Sequence, residues 1–244
     1  MGRSSPPPRT LSVQVLLENA AQLFRATVLK CLPLAMLAGL ANMLPVLYWQ
    51  AGGHPMNVFG PHDATYDGLS VGGIVLDLWL VGTLMLRQRA MVQGAPLALR
   101  DELVGALRRL PVMLLCWILV VASTMLGLLL LIVPGLFLFV CYLVLLPVVL
   151  FDGAGPYAAL VRCVQLVRPH WWQYCAAFVI ALFLVVIFAF VLILFVSLIE
   201  QLLLDSGPAF EAIWAASSIG VAALVMCFLC ALVLVLHSAA SNSA

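Results

Sequence analysis

The strongest constraint on this chain is a 41-residue stretch, from Pro111 to Phe151, that contains no charged side chain. As one helix it would run about 60 Å at ~1.5 Å per residue, twice the ~30 Å of a hydrocarbon core. Its middle holds Val133-Pro134-Gly135. Proline removes a helix donor and glycine admits turn geometry, so the chain is expected to reverse there. The stretch therefore reads as a hairpin of two spans, Pro111 to Val133 and Pro134 to Phe151.

Four more apolar runs have membrane-spanning length: Val28 to Gln50, Leu69 to Arg89, Trp172 to Ile199 and Phe210 to Leu236. Only 9% of the residues are charged, against about 25% in soluble domains. A soluble enzyme, a nucleic-acid-binding domain and a disordered chain are excluded on that ground. The expected fold is all-α: a polytopic integral membrane protein with six transmembrane helices. Residues 1–10 form one tail, 11–236 a single six-span domain, and 237–244 a short polar tail expected to be disordered.

All 11 basic residues fall on one side of this arrangement. Arg3, Arg9, Arg25 and Lys30 precede or begin the first span. Arg87, Arg89, Arg100, Arg108 and Arg109 lie between the second and third, and Arg162 and Arg168 between the fourth and fifth. The positive-inside rule makes that side cytoplasmic and places both termini there. Tyr48, Trp49, Trp171, Trp172 and Tyr174 stand at expected borders, where aromatic rings anchor at the interface. No apolar core with a cleavage site follows the basic N-terminus, so the first span is expected to act as the insertion signal. The seven cysteines avoid the outer loops and read as small apolar residues, the Cys227-x-x-Cys230 pair included.

Three segments before the spans are amphipathic, and each is expected to lie in the cytoplasmic interface. In 11–27, Gln14, Glu18, Gln22 and Arg25 share one helix face, opposite Leu16, Leu17, Ala20 and Phe24. In 96–110, Leu99, Leu103, Ala106 and Leu107 face away from Arg100, Asp101, Arg108 and Arg109. In 156–168, Leu160, Cys163, Val164 and Val167 oppose Arg162 and Gln165. Each ends on a basic residue closely followed by Pro33, Pro111 or Pro169, and each precedes a two-span hairpin. A threefold structural repeat is one reading; the other is that short cytoplasmic connections are commonly basic and amphipathic. The proline spacings of 78 and 58 residues make no strict sequence repeat.

Ile132-Val133-Pro134-Gly135-Leu136, Leu146-Pro147-Val148-Val149, Phe151-Asp152-Gly153 and Ala158-Ala159-Leu160 through Val167-Arg168 form a recognisable series. It resembles the YciC-type bacterial inner-membrane proteins and the membrane domain attached to some glycerophosphodiester phosphodiesterases. The resemblance is strongest over residues 105–185, and Cys163 stands where that pattern has serine. It implies a six-span membrane domain without assigned catalytic residues. The phosphodiesterase barrel itself has no counterpart in this chain, so none of its residues carries over.

Asp77 is the most informative polar position, because an ionisable group inside a span costs roughly 2.5–3.5 kcal/mol at a helix centre. Asn42, Thr124, Ser217 and Ser218 fall at similar depth in their spans and are expected to share its layer. The layer is either an outward-opening ligand or proton site or interhelical hydrogen bonding that holds the bundle together. Arg100, Arg108, Arg109, Arg162 and Arg168 are candidates for contact with anionic lipid headgroups, besides setting topology. His54, His62, Asp63 and Asp67 match no standard metal spacing. No HExxH, P-loop or GxSxG motif is present.

Together these features lead us to expect a non-enzymatic, multi-pass protein of a bacterial-type inner membrane. Its expected partners are membrane lipids and other membrane proteins, not nucleic acid, and no cofactor is implied. The alternative is a small transporter or channel built around Asp77.

Overall fold

The structure is a computed structural model that describes residues 12–52, 63–94, 98–130, 132–153, 155–203 and 208–243. The described chain is helical in eight α-helices: α1 (Val13–Ala51), α2 (Ala64–Val92), α3 (Leu99–Leu130), α4 (Ile132–Tyr142), α5 (Leu145–Phe151), α6 (Pro156–Val167), α7 (Trp171–Leu203) and α8 (Pro208–Ser243). A single 3-10 turn, Arg168–His170, joins α6 to α7. Five helical segments are long and apolar enough to cross a membrane: Val13–Trp49, Ala64–Val92, Leu99–Gly127, Pro156–Phe195 and Ala216–Ser241. Phe183, Phe190 and Leu129 are among many large apolar side chains left on the surface. Such a surface suits hydrocarbon rather than water, and the chain is a multi-pass α-helical membrane protein.

The expected fourth span is not one helix. It divides into α4 and α5, with a turn at Leu143 and Val144. Pro147 gives the reason. Its missing N–H would have bonded to the Leu143 carbonyl, and its ring crowds that same carbonyl. At the same break Leu143 N donates to Val140 O at 3.3 Å, three residues back rather than four, which tightens the last turn of α4. The helices do not stop at the prolines expected to end the amphipathic segments. Pro33 lies inside α1 and Pro111 inside α3. Only the third amphipathic segment forms a helix of its own, α6, and only Pro169 sits in a break.

Continuity of α1 explains the apolar stripe of residues 13–27 differently from an in-plane helix. Leu16 and Ala20 are fully buried, in the same core as Leu236 and Ala240 of α8. The stripe packs on the far end of α8, which remains helical through Ser243 where a disordered tail was expected. Along its length α1 contacts α2 on one side and α8 on the other, while α3 packs on α2 and α4.

Small residues allow these approaches. A Cβ on Gly73 of α2 would stand 3.1 Å from the Ala41 carbonyl of α1. A Cβ on Gly127 of α3 would stand 2.9 Å from Gly135 Cα of α4, backbone against backbone. In lipid, where helices gain little from leaving an apolar solvent, such close contact is a principal source of association. Gly94 and Gly153 have φ of 67° and 65°, a conformation that glycine adopts freely, and they follow the ends of α2 and α5.

Gly127→Ala is expected to destabilise the protein by about 1–3 kcal/mol, because neither backbone can yield. Gly82→Ala should cost less than about 1.5 kcal/mol, since the one approach under 3.0 Å to its new Cβ is the methyl end of the Met113 side chain, at 2.9 Å. Unfolding both purified variants in one detergent measures the difference.

Candidate functional site

Two polar regions stand out, one midway along α2 and one where five helices meet at the arginine-bearing end. The first is the expected layer around Asp77. Asp77 lies near the centre of α2, about 20 Å along the helix from Ala64. Asn42 Nδ2 of α1 donates to Asp77 Oδ1 at 2.9 Å. The same amide nitrogen lies 3.3 Å from the Ala38 carbonyl in its own helix. Close packing of α1 on α2 at Gly73 brings the pair together. Thr124 of α3 is buried with its hydroxyl unpartnered, so it forms no hydrogen bond to Asp77. Ser217 and Ser218 of α8 are half-buried. Of the expected layer, Asn42 and Asp77 are thus joined by a direct hydrogen bond, and Thr124 is not part of it.

At the end away from the arginines, Asp63 caps α2. Its Oδ1 accepts from Tyr66 N at 2.9 Å, and its Oδ2 accepts from Tyr48 Oη of α1 at the same distance. His54 and His62 lie outside the described residues. Among the described residues no three His, Cys, Asp or Glu side chains gather as a metal-binding group. All seven cysteines are buried free thiols.

The second region was not legible as a site. Asp152 follows α5, and its Oδ2 lies 3.0 Å from Arg162 Nε of α6. His237 Nε2 of α8 is 3.8 Å from that same oxygen, too far for a hydrogen bond. His237 is only 8% exposed, and Nε2 is buried without a partner. The Phe151 ring meets the His237 imidazole edge-on, with centroids 5.9 Å apart. Arg89 of α2 places its Cζ 4.0 Å above the Phe151 ring. These groups line a cavity of about 620 Å³, completed by Asn19 of α1 and Gln93 after α2.

Beside it, Arg109 Nη1 of α3 donates to the Gly153 carbonyl at 3.4 Å. Of the five arginines expected at lipid headgroups, Arg162 lines the cavity and Arg109 ties α3 to the α5–α6 junction. Arg100, Arg108 and Arg168 are exposed on the surface. Sequence reasoning assigned Arg89 only a topological role and left Asp152 and His237 outside any site. The one signal was that Asp152 and His237 each directly follow an apolar run.

Deeper in the bundle, Arg87 Nη1 of α2 pairs with Glu102 Oε2 of α3 at 3.7 Å, and Glu102 is 3% exposed. Gln88 Nε2 donates to the Cys227 carbonyl of α8 at 3.0 Å. These contacts tie α2 to α3 and α8 immediately before Arg89. No protein-family model, curated protein or solved structure matches the chain.

Glu102→Ala should destabilise the fold by roughly 3–5 kcal/mol, because it leaves the Arg87 guanidinium without its partner. The double variant Arg87→Met with Glu102→Leu should recover most of that loss. A double-mutant cycle on unfolding in detergent measures both.

Proposed function

We propose that the chain is a non-enzymatic, multi-pass protein of a bacterial-type inner membrane that interacts with lipids or with other membrane proteins. In this reading it crosses six times with both termini in the cytoplasm. The fourth crossing is made by α4 and α5 in tandem, whose 20 residues from Ile132 to Phe151 extend about 30 Å. One observation carries the reading: residues far apart in sequence meet at one end of the bundle. Arg109, before the third crossing, reaches Gly153, after the fourth. Asn19, Arg89, Asp152, Arg162 and His237 share one cavity. Each return of the chain to that end requires an even number of crossings between. The resemblance of residues 105–185 to YciC-type proteins points the same way.

Cysteines placed by Gly60→Cys and Gln165→Cys test the topology, with little background because the native thiols are buried. An impermeant thiol reagent is expected to label position 60 in intact cells and position 165 only after permeabilisation. Equal labelling of both in intact cells overturns the scheme.

A transporter or channel is the second reading, favoured by the carboxylate held by Asn42 at the centre of α2. Under the first reading, Asp77→Asn keeps normal membrane abundance and an unchanged growth phenotype, since an amide still bonds to Asn42. A specific loss of function at normal abundance favours transport.

A further inference from the structure

We propose that the cavity at the arginine-bearing end binds a phosphate oxyanion carrying a small hydroxylated group, as in a glycerol-type phospholipid headgroup or a free glycerol phosphate. The choice between those sources rests on the lipid-contact reading above; the site itself rests on its own geometry.

Charge balance is the first reason. Two guanidinium groups, Arg89 and Arg162, face the cavity with one carboxylate, Asp152. Asp152 is taken up by Arg162 at 3.0 Å. Arg89 has no carboxylate: it lies over the face of Phe151 instead. The planar fork of guanidinium N–H donors matches the paired oxygens of a phosphate. No hydrogen bond to protein occupies those donors among the described residues.

The unsatisfied histidine is the second reason. His237 Nε2 is buried, lines the cavity and finds no hydrogen-bond partner, since Asp152 is 3.8 Å away. A buried polar atom left this way costs about 1–3 kcal/mol, which a ligand oxygen or hydroxyl would recover. Asn19 and Gln93 supply amides for the rest of a polar headgroup. Leu23, Val92 and Leu234 give the wall an apolar side, where the start of an acyl chain can lie. The volume, about 620 Å³, is that of a small-molecule site rather than a packing defect. An acidic peptide would also seek arginine, but it has no use for the apolar wall.

The test uses full-length protein in mild detergent, with retained lipid read by native mass spectrometry. Phosphatidylglycerol is offered against phosphatidylcholine, whose choline repels Arg89. Wild-type protein is expected to prefer phosphatidylglycerol about tenfold, the effect of one charge-assisted hydrogen bond. Arg89→Gln should abolish the preference, and Arg25→Gln, at the exposed surface outside the cavity, should leave it intact. Val92→Trp, which fills the mouth without changing charge, should also abolish it; this keeps the test valid if Arg89→Gln fails to fold.

An unchanged preference in Arg89→Gln and Val92→Trp overturns the cavity. Equal loss in Arg89→Gln and Arg25→Gln also overturns it, while leaving general lipid contact standing. Added glycerol 3-phosphate identifies the source: displacement of the lipid supports a soluble ligand, and no displacement supports the lipid itself. If wild-type protein shows no lipid preference yet binds glycerol 3-phosphate through Arg89, the cavity stands and the lipid reading falls. Absence of both kinds of binding overturns the proposal.

Discussion

Polar groups inside hydrocarbon must find their partners within the protein, and most of this structure follows from that requirement. Helices satisfy the main chain, and the side chains repeat the solution locally. Thr27, Ser70, Thr83 and Ser197 each donate a hydroxyl to the carbonyl four residues earlier in the same helix. Larger polar side chains reach to a neighbouring helix. Trp79 Nε1 finds the Leu103 carbonyl, Gln88 the Cys227 carbonyl, and Asn42 the Asp77 carboxylate. Each such bond joins two helices, so the accounting that makes the chain tolerable in lipid also specifies which helices are neighbours.

Packing supplies the remainder. Lipid chains compete well for apolar side chains, so helices associate where their backbones come close. Ala35, Ala38 and Ala41 on α1, Gly73 on α2, and Ala223, Cys227 and Cys230 on α8 are all buried small residues. The cysteines belong to this set, as small residues in a tight core, and none is paired. α7 is the exception. It exposes large side chains along much of its length, as a helix at the edge of a bundle does.

The long apolar runs announced the membrane class, because length and hydropathy are properties of single segments. The Asn42–Asp77 bond was also legible, since both residues sit at matching depth in adjacent spans. Helix ends were harder to place. Pro33 and Pro111 gave the same local signal as Pro147, yet only Pro147 interrupts a helix. Leu29 and Leu107, whose carbonyls lose a donor to Pro33 and Pro111, lie on exposed turns that can bend outward. Pro147 is buried, but so is Pro45, which stays inside α1, so burial of the proline alone does not set the break. The cavity was illegible for a different reason. Arg89, Asp152, Arg162 and His237 come from four helices, and nothing in their spacing indicates that they meet.

Helix α1 has 39 residues and α8 has 36, and they lie side by side. At about 1.5 Å per residue α1 measures roughly 58 Å; tilted by ~40° it still rises about 44 Å, against a hydrocarbon thickness near 30 Å. Both rods must therefore extend past the hydrocarbon core, with Leu16, Ala20, Leu236 and Ala240 in one buried cluster. What extends past the hydrocarbon is a stiff pair of helices at headgroup depth, and Asn19 of the one and His237 of the other line the cavity there.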